Sequence, residues 1–411
     1  MTLPPFCLGC GAPLTRTWVD LGLSPLANSN IAPDAFDAPE TVYPLHARVC
    51  DSCLLVQVDP VVPREAIFNA DYPYFSSFSA SWLEHCARYA TAMADRFGLG
   101  PASQVVEVAS NDGYMLQYFV ARGIPVLGIE PSSNTAAAAI ARGVPTETVF
   151  FGFDTARDLA ARGLRADLLA AKNVMAHVPD INDFVAGVAE LLKPEGVFTV
   201  EFPHLLRTIE GVQFDTIYHE HFTYLSLLAV ERIFGRHGLR AFDVEQLTTH
   251  GGSLRIFACR ADAGHAVTAN VAQVRVEEIA AELDGPAGYA GFDAKVRAVR
   301  TGLRGFLDDA AAAGKSVAGY GAAAKGNTLL NYSKISTSQI GMIADLSPAK
   351  QGRLAPGTRI PIVTPATMLA TRPDYVLILP WNLRSEITAQ LEEIGAWGGR
   401  FVTAIPSIAI D

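Results

Sequence analysis

Charge is scarce in this chain, and basic charge is scarcer than acidic. Only 18% of the 411 residues are charged, and 42 acidic against 32 basic side chains leave a formal net charge of −10. That balance disfavours nucleic acid or an anionic membrane surface as a partner through bulk electrostatics. No apolar run reaches the ~18 residues that a membrane span requires. The opening MTLPPFCLGC has neither the charged n-region nor the apolar h-region of a secretory signal, so a cytoplasmic protein is expected. Tandem repeats and low-complexity tracts are missing, apart from an Ala-rich bias of the kind helices carry. Cysteine is limited to six residues, and where thiols stay reduced, paired cysteines hold metal more often than they form disulfides. What is present is apolar sequence, 50% of the chain, enough for two or three domains with more than one core.

Four of the six cysteines form two CxxC knuckles, Cys7-Leu-Gly-Cys10 and Cys50-Asp-Ser-Cys53. Four thiolates are what a tetrahedral structural zinc site takes, and such a closed site has no open position for catalysis. A thioredoxin-type redox pair is the rival, but neither CxxC opens a helix after a strand. The intervening Pro- and Asn-containing segment predicts a loop-rich subdomain. Cys86 and Cys259 are expected as buried hydrophobes. Residues 69–79, NADYPYFSSFS, carry Tyr72, Tyr74 and Ser76 ahead of a helix predicted over 81–97. They are packing residues between subdomains or the wall of a pocket.

Gln104–Gly113, QVVEVASNDG, reads as a buried strand running into a small-residue turn, followed by a helix over 114–122 and a second apolar strand ending in Glu130. Strand, glycine turn, helix and strand with a terminal acid make the first half of a nucleotide-binding βαβ unit. The turn offers Ser110, Asn111 and Gly113, and Glu130 can accept both hydroxyls of a ribose. The second and third turn glycines of GxGxxG are missing, and Asn111 and Asp112 crowd the place of a pyrophosphate. A nucleoside without phosphate, S-adenosylmethionine, fits better than NAD. Glu107 or Asp112 would favour its amino and sulfonium charges. Further predicted elements, around 147–151, 166–171, 181–192 and 197–202, continue a doubly wound α/β sheet. Asn173 and His177 lie just past the carboxyl end of the 166–171 strand, where ligands bind in open α/β sheets.

After Glu201-Phe-Pro-His204 comes the most concentrated chemistry in the chain, Asp215–Tyr224, DTIYHEHFTY. Tyr218, His219, Glu220 and His221 can all take part in proton transfer, the histidines most readily because an unperturbed imidazole titrates near about 6.5. A strand would point Tyr218 and Glu220 one way and His219 and His221 the other. Beyond a helix at 225–237, two strands flank Thr249-His-Gly-Gly252, and charge-rich helical sequence over 271–313 breaks at 284–288. A third domain follows, with strands at 315–318, 340–345, 375–378 and a last segment at 400–405. Its Gly-rich turn, Gly319–Gly326, GYGAAAKG, either holds an anionic group with Lys325 or Lys350 on phosphate, or packs as a vestigial nucleotide turn.

In order and spacing, the CxxC knuckles, DYPYFSSFS, EVASNDG, NVMAHV, YHEHFTY, GYGAAAKG and DLSPAKQGRLAPGTRIPI make the chain resemble the sugar C-methyltransferases of deoxysugar pathways. The resemblance spans essentially the whole chain. It implies a zinc-binding domain (1–68), an S-adenosylmethionine-binding methyltransferase domain (69–280) and a C-terminal Rossmann-like domain for the nucleotide sugar (281–411). It implies methylation of a nucleotide-linked 4-keto-6-deoxyhexose at a carbon beside its ketone; the match does not fix the ring carbon, and C3 is favoured over C5. The matching active-site residues are Tyr72, His177, Tyr218, Glu220 and His221, with His221 as the base, oriented by Glu220, and Tyr218, His177 and Tyr72 donating to an enolate oxygen. Glu107, Ser110, Asn111, Gly113, Glu130 and Asn173 are expected to hold the cofactor. Tyr74, Ser76, Lys325 and Lys350 are expected to hold the substrate, in a monomer with no catalytic metal. An O- or N-methyltransferase and a non-catalytic zinc scaffold are the other readings.

Overall fold

The computed structural model describes residues 5–62, 75–78 and 80–411, so Tyr72 and Tyr74, and a boundary at 68, lie outside the described residues. The described chain folds around three sheets. The first is antiparallel, β1 (Arg16–Ser24), β2 (Tyr43–Val49) and β3 (Val56–Val58). A loop-rich segment was the expectation here; a sheet forms because Leu45, Ala47 and Val49 alternate inward along β2. Its fourth strand comes from far along the chain.

The second sheet contains β4 (Val105–Val108), β5 (Val126–Ile129), β6 (Thr146–Glu147), β7 (Ala166–Lys172) and β8 (Leu192–Pro203), all parallel. The distant strand of the first sheet, β9 (Thr223–Tyr224), follows them and pairs with β3. A hairpin of β10 (Leu239–Leu247) and β11 (Ser253–Arg260) extends the second sheet, giving the order β10-β11-β8-β7-β4-β5-β6. The element expected at 147–151 shrinks to the two-residue β6, and the helix expected over 114–122 to Leu116–Val120. The central strands are apolar on both faces because helices cover both sides, as in doubly wound folds.

Helices Ala269–Ala280 and Phe292–Ala312 lead to the third sheet. Its strands are β12 (Val317–Tyr320), β13 (Ile343–Ala344), β14 (Ile362–Val363), β15 (Tyr375–Ile378), β16 (Arg400–Thr403) and β17 (Ala409–Ile410), ordered β14-β13-β12-β15-β16-β17. All pair in parallel except β17. Trp18 of β1 stacks on Phe292 with ring centroids 4.2 Å apart and planes 11° apart, joining the first and third parts through one apolar core. Among the described residues no helix is long and apolar enough to cross a membrane.

Candidate active site

The turn after β4 is held by its own acid. Glu130, buried at the tip of β5, accepts the backbone amide of Asn111 at 2.9 Å and that of Ser132 at 2.8 Å. Burial raises its carboxyl, and the two amides oppose that rise. Gly113 is required at φ +76, where a side chain would also meet Val144 at 3.0 Å. Asp112, fully buried, is occupied by Arg142 at 2.8 Å and by the Ser77 hydroxyl. Ser76 donates its backbone amide to Asn111 Oδ1 at 2.9 Å, which places this expected substrate residue on the cofactor turn. Around that turn, Ser110 Oγ and Asn173 Oδ1 are buried with no hydrogen-bond partner among the described residues, and the buried Glu107 carboxyl has only the Tyr114 phenol beside it. Buried polar groups without partners cost about 1–3 kcal/mol each, so such a cluster is the signature of a polar ligand's cradle. An adenosyl amino acid, with hydroxyls and a cationic amine, fits that donor and acceptor set.

The Tyr218–His221 stretch of DTIYHEHFTY adopts neither a helix nor an extended strand. A 3₁₀ turn over Phe214–Thr216 is followed by a tight turn in which the His221 amide donates to the Tyr218 carbonyl at 2.9 Å. The turn brings Tyr218 and His221 together, their ring centroids 4.0 Å apart, where an extended chain would have paired Tyr218 with Glu220. His221 Nδ1 donates to the Thr216 carbonyl at 2.8 Å, and its Nε2 accepts the Tyr218 hydroxyl at 2.8 Å. The group that orients His221 is therefore Thr216, not Glu220. The Glu220 carboxylate instead takes the Asn28 amide at 2.7 and 2.9 Å on its two oxygens. Burial pushes its carboxyl up to about 7, against the opposing pull of Asn28. His219 points away, donating to the Pro44 carbonyl at 3.2 Å.

His177 lies 4.6 Å from His221, ring to ring, and its Nδ1 donates to the Glu220 carbonyl at 2.8 Å. Burial lowers the His177 imidazole to about 4. Burial, together with the nearby His177, holds His221 well below its ordinary value. Both rings are neutral at pH 7, and each carries its hydrogen on Nδ1 because a carbonyl can only accept. Each therefore presents a lone pair on Nε2. That is the form a base needs and the wrong form for the donor expected of His177.

The third part of the chain adds Lys325 and Trp381, tied to Asp215 at the start of the Tyr–His segment. Lys325 donates to Asn382 Oδ1 at 2.8 Å and lies 5.0 Å from the Trp381 ring centroid. Trp381 Nε1 donates at 2.8 Å to Asp215, whose carboxyl burial raises to about 6 while Lys325 lowers it. Lys350 donates to the Ala322 carbonyl at 2.9 Å, beside an acid arrangement that repeats that of Glu130. There Asp345, just beyond β13, accepts the amides of Ala322 at 2.7 Å and Ser347 at 2.8 Å. Below the site, Glu201 is buried. Burial would raise its carboxyl, but Lys172, His85 and Arg255 together hold it below the carboxylate range. Asn28 and Trp381 carry no local motif, whereas Asp215, Glu201 and His250 stand in the stretches Asp215–Tyr224, Glu201–His204 and Thr249–Gly252, which gave them no role.

At the knuckles, Cys7 and Cys53 sulfurs lie 3.4 Å apart, as do those of Cys10 and Cys50, and all four fall within 4.8 Å of one another. Four sulfurs this close, mostly buried, match the donor set and spread of a tetrahedral zinc site with bonds near about 2.3 Å.

A doubly wound sheet with this turn, acid and orphaned polar cradle is that of an S-adenosylmethionine-dependent methyltransferase. A methyltransferase domain model matches residues 82–244, a zinc binding domain model residues 7–68, and a C-methyltransferase C-terminal domain model residues 248–406. C-methyltransferase NovU of Streptomyces niveus is 36% identical over 400 residues, covering 97% of this chain and 95% of that one. The chain belongs to this family of C-methyltransferases, with S-adenosylmethionine and zinc as its cofactors. More distant is a ubiquinone biosynthesis O-methyltransferase of Rhodopseudomonas palustris, 24% identical over 34% of this chain and 64% of its own. Among solved structures, the magnesium protoporphyrin IX methyltransferase of Synechocystis is similar at 14% identity, covering 44% of this chain and 78% of that one, with a TM-score of 0.32.

Proposed function

We propose that the enzyme methylates the carbon beside the ketone of a nucleotide-linked 4-keto-6-deoxyhexose, C3 in preference to C5, with His221 as the base. The observation that carries this reading is the state of His221: neutral, its hydrogen fixed on Nδ1 by Thr216, its Nε2 lone pair beside the Tyr218 phenol. A hydrogen beside a ketone is acidic enough for a positioned imidazole to remove, whereas a hydroxyl or amine needs no carbon base. Taking up the substrate exchanges the Tyr218–His221 hydrogen bond for one to the reacting carbon's hydrogen. Tyr218 is then released toward the sugar, for which Tyr72 and Tyr74 are proposed as a donor and a binding residue. S-adenosylmethionine, held by Glu130, Asn111, Ser110, Gly113, Glu107 and Asn173, supplies an electrophilic methyl group. Lys325 and Lys350, with the Gly-rich turn of the 281–411 domain, hold the nucleotide diphosphate, and 69–280 and 1–68 form the methyltransferase and zinc domains. NMR of the product from a nucleoside-diphosphate 4-keto-6-deoxyhexose should show a new methyl on ring carbon C3. A methyl on oxygen or nitrogen would overturn the proposal.

A further inference from the structure

Removing the proton from carbon leaves electrons that must come to rest on the ketone oxygen, and that oxygen needs a hydrogen-bond donor. Neither His177 nor His221 supplies one in its neutral form, since both have spent their single N–H on a backbone carbonyl. A third imidazole differs. His250 Nε2 faces the side-chain amide Nδ2 of Asn173 at 3.1 Å. An amide nitrogen only donates, so Nε2 is the bare nitrogen and the ring hydrogen sits on Nδ1. No acceptor among the described residues meets that Nδ1–H, although His250 is half-buried. The ring packs edge-on to Trp82 at 5.7 Å, and it lies within electrostatic reach of His221 and Lys325.

The backbone makes this placement on purpose. His250 sits at φ +55 and Asn173 at φ +53, both in the left-handed region that side chains avoid, and their side chains meet. Strain of this kind costs on the order of 1–3 kcal/mol and persists where surrounding structure enforces it. Gly251 follows at φ +89, where a Cβ would lie 2.4 Å from the Trp381 ring, and Gln213 Nε2 holds the Gly251 carbonyl at 2.8 Å. The loop is thus held between Asn173 at the end of β7, Gln213 just ahead of the Tyr–His segment, and Trp381 of the third part of the chain.

We infer that His250 is the catalytic donor to the ketone oxygen, its Nδ1–H stabilising the enolate formed when His221 Nε2 takes the proton from the adjacent carbon. The role rests on the proposed reaction. In it the C–H electron pair becomes the new C=C bond, the carbonyl π pair moves to oxygen, and the proton stays on His221. Lys325 lies within electrostatic reach of both imidazoles.

The test uses the full-length zinc-loaded enzyme with S-adenosylhomocysteine in heavy water, following deuterium entry beside the ketone of a nucleoside-diphosphate 4-keto-6-deoxyhexose. His250→Leu should slow exchange by about 10²–10³-fold, the usual loss for one oxyanion donor, with S-adenosylhomocysteine affinity within about threefold of wild type. His250→Gln, which keeps an N–H donor, should recover at least about tenfold of that loss. Wild-type exchange rates in His250→Leu would overturn the donor role alone. Equal losses in the Leu and Gln variants, or a loss of cofactor affinity that accounts for the slowed exchange, would also overturn it, reducing His250 to a support for Asn173. Wild-type enzyme that neither exchanges nor methylates carbon would remove the underlying reaction, and the donor with it.

Discussion

The role of base proposed for His221 rests on its partners rather than on its residue type. A histidine whose Nδ1–H is fixed by a carbonyl has one possible basic atom, and the Thr216 carbonyl makes that choice. The sequence showed some residues of this site but not their pairing. Tyr218 and His221 were legible as candidates, whereas Asn28 reaches Glu220 across 192 positions and leaves no local trace. Glu220 yields a pH test. Folding raises its carboxyl from 4.5 to about 7, so the native state keeps its proton through that window, and stability is lost as the pH rises through it. Glu220→Gln cannot lose a proton there. Denaturation midpoints should favour the variant over wild type by on the order of 1–3 kcal/mol more at about pH 8 than at about pH 5. An equal difference at both pH values would contradict the raised carboxyl. Glu130 gives a second residue-scale prediction. Glu130→Ala removes a charged acceptor from the cofactor turn and should weaken S-adenosylmethionine binding by about tenfold or more in calorimetry. An unchanged dissociation constant would take Glu130 out of the site.

At the scale of elements, the βαβ unit was readable because its signals are local: apolar β4 and β5, a glycine at φ +76 between them, and an acid at the second tip. The Tyr–His segment was not, because its geometry depends on a turn whose flanks are anchored elsewhere. Thr223–Tyr224 joins β3 of the first sheet, and Asp215 is tied to Trp381. The first sheet was hidden for a different reason. Its strands pair over long loops, and Pro and Asn in those loops read as irregular chain. The knuckles stand at its edge, Cys50 directly after β2 and Cys53 shortly before β3. Cys50→Ser should therefore release zinc and lower thermal stability together, since metal binding is folding free energy in small sites of this kind. Metal analysis alongside a melting curve checks it. Full stability in a metal-free protein would contradict the structural role.

Across the whole molecule, the parts built around the three sheets each contribute residues to the proposed site. Asn28 comes from the first, the imidazoles and the cofactor turn from the second, and Lys325 and Trp381 from the third. That convergence explains why a methyltransferase domain alone does not define the chemistry, and why relatives sharing only that portion methylate other atoms. It also sets the central claim, that the enzyme makes a carbanion before any methyl group moves. The most direct measurement is deuterium entry from heavy water into a nucleoside-diphosphate 4-keto-6-deoxyhexose, with S-adenosylhomocysteine in place of the methyl donor. Wild type should place deuterium on one ring carbon beside the ketone, and His221→Asn, still binding cofactor and sugar, should slow this by about 10²–10⁴-fold. Exchange at the wild-type rate in His221→Asn would contradict the account and move the role of base to His177.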